Sequence, residues 1–275
     1  MTANVVPRRD LLNAVALGSV SFNITRVIGP AVGGYLIGFI GMAGNFLIQA
    51  GCYLGTFVTV LPIKLVRDQD AGNPSRRRFV SSMADGFRYV GKDKTVLSLI
   101  ILGLVPMLFI FPINALMPIF AKDVFHMGAT GFGVMFTAIG AGSLIGTLGL
   151  ASVGDVKKKA RVFYTALTVA ISMSIAFSWS RSLPLALVVL AIQGAFQMMY
   201  FSLNNATLQM IVPDNMRGRV VSLNALDTAV IPLGGLIGGI LADLLGAPWA
   251  LTILGASGLA FVGVAFLALP AVRKL

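Results

Sequence analysis

Apolar residues in this chain fall in long, nearly unbroken runs, without the alternation of a half-buried strand or the narrow stripe of a surface helix. A helix that crosses the hydrocarbon core of a bilayer needs about 20 such residues in succession. Eight runs reach or approach that length, at 11–40, 45–62, 96–120, 130–153, 161–179, 184–211, 219–245 and 248–270, with short polar punctuation between them. The pattern predicts an all-α, polytopic membrane helix bundle of eight transmembrane helices. An even number of crossings places both termini on one side.

The basic residues choose that side. Arg8 and Arg9, the eight Lys and Arg from Lys64 to Lys94, Lys157 to Lys159 with Arg161, Arg217 with Arg219, and Arg273 with Lys274 occupy alternate connections. The opposite loops carry only Lys122 and Arg181, while Arg26 lies inside the first run. Cytoplasmic loops retain Lys and Arg. Both termini are therefore expected in the cytoplasm.

Composition narrows the classes further. The chain is 57% apolar and 11% charged, against about 25% charged residues in an ordinary soluble domain. A soluble enzyme is not expected on that ground. The net charge of +11, built on ten Asp and no Glu, is read as a topology signal. No interleaving of aromatic and basic residues suggests a nucleic-acid face, so no nucleic-acid partner is expected. Cys52 and His126 are each the sole residue of their type. Neither an internal disulfide nor a Cys/His metal cluster can be assembled, and no metal or cofactor is expected. An intramembrane enzyme would need a nucleophile with its base, or grouped ligands, and the runs contain neither.

Residues 63–95 form the one long connection, dividing the chain into 1–62 with two spans and 96–275 with six. Within it Phe79, Val80, Met83, Phe87 and Val90 recur at helical spacing. This reads either as an amphipathic helix on the inner membrane surface or as a solvated hinge. An internal echo accompanies the division. Val6-Pro7 before Arg8, Arg9 and Asp10 leads to Pro30, Gly33 and Gly34, while Val212-Pro213-Asp214 before Arg217, Gly218 and Arg219 leads to Pro232, Gly234 and Gly235.

The segment RVIGPAVGG, from Arg26 to Gly34, resembles the proline-glycine motif in the fifth helix of drug-exporting members of the major facilitator superfamily. Gly29, Pro30, Gly33 and Gly34 carry its core, and Ala16 and Thr25 stand upstream where that motif has glycine. VPDNMRGRVVSLNAL, from Val212 to Leu226, together with the first span, is similar to the branch that includes enterobactin exporters and macrolide efflux proteins. The resemblance covers nearly the whole chain. It implies that the eight spans correspond to helices five to twelve of a twelve-helix fold, that 1–62 is a remnant of the N-terminal half, and that helices one to four are absent. It also implies that Asp155, with the basic residues after it, stands for the cytoplasmic signature between helices eight and nine.

Polar residues inside the runs are the candidate site. Asn23 and Arg26, with Ser19, share a helical face in the first span, where an arginine must face protein, water or a partner. Asn224 and Asp227 share a face in the seventh. For Arg26 and Asp227 two readings stay open: a local hydrogen bond or salt bridge, and coupling of substrate to protons. Gln193, Gln197, Tyr200 and Asn204 recur at spacings of four, three and four in the sixth span, either as a binding wall or as helix packing. Asn114 lies near a kink expected from Pro106, Pro112 and Pro118. The small residues Ala138, Gly142 and Gly146, and Gly51 with Gly55, are expected to let helices cross closely.

The expected function is transmembrane efflux of small amphipathic molecules or siderophores by alternating access, proton-coupled in a full-length parent. Lipid, a small-molecule substrate and protons are the expected partners, and the bacterial inner membrane the expected location. The alternatives are a truncated fragment that is inactive alone, a channel, or a structural membrane protein.

Overall fold

The runs fold as they must in lipid, where backbone polar groups have to be paired within the segment. The computed structural model describes residues 11–61, 85–153 and 159–273, and every regular element among them is helical. In chain order these are α1 (Leu11–Val60), α2 (85–92), α3 (Lys94–Phe109), α4 (Pro112–Ile119), α5 (Gly128–Val153), α6 (Lys159–Ser178), α7 (Leu183–Ile211), α8 (Asp214–Asn224), α9 (Ile231–Leu245), α10 (Ala247–Ala268) and α11 (Pro270–Arg273).

Among the described residues six stretches are long and apolar enough to cross a bilayer: Lys94–Val124, Gly128–Ser152, Lys159–Ser178, Leu183–Ile211, Gly218–Leu245 and Ala247–Ala268. They coincide with the last six apolar runs. Local chemistry sets several of their ends. Asp93 caps α3, its Oδ1 accepting from the amides of Thr95 at 2.9 Å and Val96 at 3.1 Å. Prolines open α4, α7, α9 and α10, where their missing N–H leaves no bond unmade. Gly246, at φ 87°, turns α9 into α10 in a single residue.

Three of the rods are interrupted. Pro112 has no N–H to offer the Leu108 carbonyl, and the amides of Ile110 and Phe111 both donate to Pro106 at 3.0 and 2.9 Å. The span therefore breaks at Ile110–Phe111, ahead of Asn114, and ends in the π-turn Phe120–Val124. Between α8 and α9 the chain tightens into the 3₁₀ segment Ala225–Val230. In α1 only Gly41, at φ 74° and ψ 175°, leaves helical geometry. That break falls between the first two predicted runs, while Pro30 remains within regular helix.

The bundle is held by packing of α5 on α7, α1 on α5, α6 on α7 and α10, and α9 on α4 and α10. Two apolar clusters fill it. One gathers Leu99, Leu102, Phe163, Leu167, Leu203 and Val262, and the other Ile113, Met117, Phe120, Met135, Phe177 and Leu251. Leu190 belongs to the second and Tyr200 to the first, so the polar residues between them on α7 lie where the clusters meet.

Two packing expectations change. Gly142, Gly146 and Gly194 do sit at a close crossing, where an added Cβ would overlap the backbone of Ala191, Ala195 and Ile139 respectively. Gly51 and Gly55 meet nothing within 4 Å, because the second segment of α1 presents its sides outward. The expected surface helix from Phe79 is described only from 85 onward. Its Gly86 and Val90 are buried, with Leu223 and Arg219 of α8 next to Gly86, while Phe87 and Arg88 are exposed. α2 is docked on the bundle, since its small and apolar positions match a neighbouring helix.

Candidate functional site

α7 carries its polar stripe into the interior. Gln193, Gln197, Tyr200 and Asn204 are all buried, and Thr207 extends the same face by three further residues. Tyr200 packs edge-on against Phe163 with ring centroids 5.8 Å apart. Several of these groups find no hydrogen-bond partner: both amide atoms of Gln193, the Tyr200 hydroxyl, Asn204 Oδ1 and Thr207 Oγ1. A buried group left unpaired costs about 1–3 kcal/mol. Five such atoms on one face of one helix are unusual for a stripe that serves packing alone.

The stripe meets a second polar group at Gly103 of α3. A methyl placed on Gly103 would stand 3.5 Å from Asp227 Oδ2, 3.7 Å from Asn224 Oδ1 and 3.8 Å from Asn204 Nδ2. Three helices thus bring amides and a carboxylate around one point, and glycine leaves the space. Asp227 lies in the 3₁₀ segment, where its carboxylate accepts from the Thr228 amide. It is 6% exposed, and among the described residues no basic side chain pairs with it. Asn224 Nδ2 donates to Asn205 Oδ1 at 3.4 Å, leaving Asn224 Oδ1 without a partner. Tyr200 lies within electrostatic reach of Asp227.

The other expected residues are placed as follows. Asn114 is half-buried on α4 and outside this cluster. Gly29 is exposed and Gly33 has no neighbour within 4 Å of its Cβ position. Asp155 lies outside the described residues, as do the side chains of Asn23, Arg26 and Arg217 and the surroundings of Pro30 and Gly34. Gly218 is exposed, and Arg219 pairs with Asp85 at 3.3 Å. The later proline-glycine echo has a definite neighbour: a Cβ on Gly234 would stand 2.9 Å from the Leu108 carbonyl and 3.0 Å from that of Met107. Those are the carbonyls released by the break before Pro112.

Sequence reasoning missed Gly103, Asn205, Thr207 and Asp85. Thr207 continues the α7 period and was within reach of the pattern. Gly103 was not, because one glycine in an apolar run announces nothing about which side chains surround it.

The family's sequence profile, that of transmembrane secretion effectors, matches residues 1–274. The chain belongs to that family, within the major facilitator superfamily. Relatives of the chain include the multidrug efflux pump Tap of Mycolicibacterium fortuitum, 28% identical over 261 residues, which are 92% of this chain and 62% of that pump. The staphyloferrin A transporter of Staphylococcus aureus is 26% identical over 246 residues, 89% of this chain and 60% of the relative. The enterobactin exporter EntS of Shigella boydii is 30% identical over 273 residues, 97% of this chain and 63% of the relative. The chain spans about three fifths of the length of these relatives. Six helices among the described residues that are long and apolar enough to cross a bilayer, together with this family, make the chain an integral membrane protein.

Proposed function

We propose that the chain is part of an efflux transporter that moves small amphipathic molecules or siderophores across the bacterial inner membrane by alternating access, in exchange for protons. The observation that carries the reading is the position of Asp227. It is a buried carboxylate in an irregular turn of a membrane helix, unpaired with any described cation and faced by Asn204 and Asn224. Ionisable groups at membrane depth are expensive and serve proton or substrate pathways. Mid-membrane breaks are where secondary transporters place their coupling sites.

In this reading the two segments of α1 are spans as well, making eight that correspond to helices five to twelve. Residues 1–62 belong to one half, 63–95 link the halves on the cytoplasmic side, and 96–275 form the six-helix half. Both termini face the cytoplasm. Asp227 carries the proton, and Gln193, Gln197, Tyr200 and Asn204 offer hydrogen bonds to substrate when the halves rock apart.

The test is efflux of an amphipathic fluorescent dye from proteoliposomes holding the chain under an imposed proton gradient. Protonophore-sensitive efflux that Asp227→Asn removes is the expected result. Efflux untouched by the protonophore would eliminate proton exchange.

A second reading, that this length of chain is inactive until further helices join it, has its own observation. Phe46, Leu47 and Phe57 on the second segment of α1 are 65%, 73% and 62% exposed, as on a helix without neighbours. Efflux that appears only on co-reconstitution with the first four helices of a full-length relative would favour it.

A further inference from the structure

We propose that the cluster of Asp227, Asn224 and Asn204 around Gly103 is a binding site for a sodium ion. The proposal rests on the reading of Asp227 as the coupling group and names a second cation for the same place.

The argument starts from unmet acceptors. Asn204 Oδ1, Asn224 Oδ1 and the Tyr200 oxygen are buried without partners; Asn204 and Asn224 share the surroundings of Gly103 with the Asp227 carboxylate, and Tyr200 lies within electrostatic reach of it. A proton on Asp227 would add one donor and could satisfy one of them. A cation satisfies several at once, because hard cations bind carboxylate, amide and hydroxyl oxygens together. Asn204 turns Nδ2 toward Gly103. Among the described residues no hydrogen bond holds that amide, and a half-turn about its last torsion brings Oδ1 to the same point.

Charge selects the valence. Asp227 is the sole carboxylate of the cluster, so a monovalent ion gives a neutral buried site, whereas a divalent ion would leave an uncompensated charge in a low-dielectric interior. Ligand number favours sodium among the alkali ions: only a few oxygens converge here, with Asp227 Oδ2 and Asn224 Oδ1 at 3.5 and 3.7 Å from the Cβ position of Gly103, and a small ligand set suits sodium better than the larger potassium. The 3₁₀ segment between α8 and α9, which carries Asp227, interrupts a membrane helix, the setting in which secondary transporters hold coupling cations.

The experiment is equilibrium binding of radioactive sodium to the purified 275-residue chain in detergent. The expected result is saturable binding of one ion per chain, competed by lithium and not by equal potassium. Asp227→Asn and Asn204→Ala should each weaken it about tenfold or more, the usual cost of losing a ligand or its support. Asp243→Asn, which removes an exposed carboxylate elsewhere, should leave it unchanged. Gly103→Ala covers the event that Asp227→Asn fails to fold: its methyl meets its nearest neighbour at 3.5 Å, an ordinary contact, and fills the site. It should therefore reduce sodium binding with an unaltered circular-dichroism spectrum.

Absence of saturable sodium binding in monodisperse, helical protein would overturn the proposal, and so would binding indifferent to Asp227→Asn and Gly103→Ala. The assay involves no transport. Sodium binding with protonophore-insensitive efflux would thus remove proton exchange and leave this site standing.

Discussion

Asp85 and Arg219 are joined by a 3.3 Å salt bridge across 134 residues of sequence, tying α2 to α8. The pair is partly exposed, at 39% for Arg219 and 47% for Asp85, so its contribution is that of a screened surface bridge, about 0–1 kcal/mol. A double-mutant cycle with Asp85→Asn and Arg219→Gln, read by thermal unfolding in detergent, should give a coupling of about 0.2–1 kcal/mol that shrinks with added salt. A coupling that stays constant in high salt would contradict this.

The two small-residue pairs should behave oppositely. Gly142→Ala or Gly146→Ala forces a methyl into the backbone of Ala191 or Ala195, and α5 must separate from α7 at a cost of about 1–3 kcal/mol. The bond from Ser143 Oγ to the Gly194 carbonyl at 3.2 Å should lengthen with it. Gly51→Ala and Gly55→Ala meet open space and should lose no stability. Unfolding midpoints of the four variants check the contrast.

Trp179 and Trp249, the two tryptophans of the chain, stack edge to face with centroids 5.2 Å apart. The Trp179 indole donates to Thr252 Oγ1 at 2.9 Å, and both rings stay about half exposed beside the short α6–α7 and α9–α10 connections. Such rings belong at the headgroup level. In liposomes their fluorescence should be quenched more by lipids brominated near the carbonyl than by lipids brominated near the chain end. Stronger quenching from the chain end would place this edge of the bundle deep in the membrane.

Sidedness is open to direct measurement. Fluorescent-protein fusions after Lys274 or within 63–84 should be bright and alkaline phosphatase fusions there inactive, with the reverse at Arg181, if basic residues set the topology. Active phosphatase at the C-terminus would invert the bundle.

Much of the bundle was legible as a sequence. The six stretches among the described residues that are long and apolar enough to cross a bilayer begin and end within a few residues of the last six apolar runs, since lipid admits only segments that satisfy their own backbone. The α7 stripe was legible too, because its period is that of the helix carrying it. The break before Pro112 was half legible. Three prolines announced an interruption near Asn114, but whether the rod would bend or separate depended on where the freed carbonyls came to lie, and they face Gly234.

By itself, the sequence determined which described segments are long apolar helices and which polar residues have to be accommodated inside them. Tertiary structure alone decided that Asn204, Asn224 and Asp227 meet at Gly103, that Gly142 is a crossing point and Gly51 is not, and that 85–92 docks on α8. The reason is physical. In a helix apolar on nearly every face, hydropathy records depth in the membrane but not rotation, and rotation is fixed by close packing against neighbours distant in sequence.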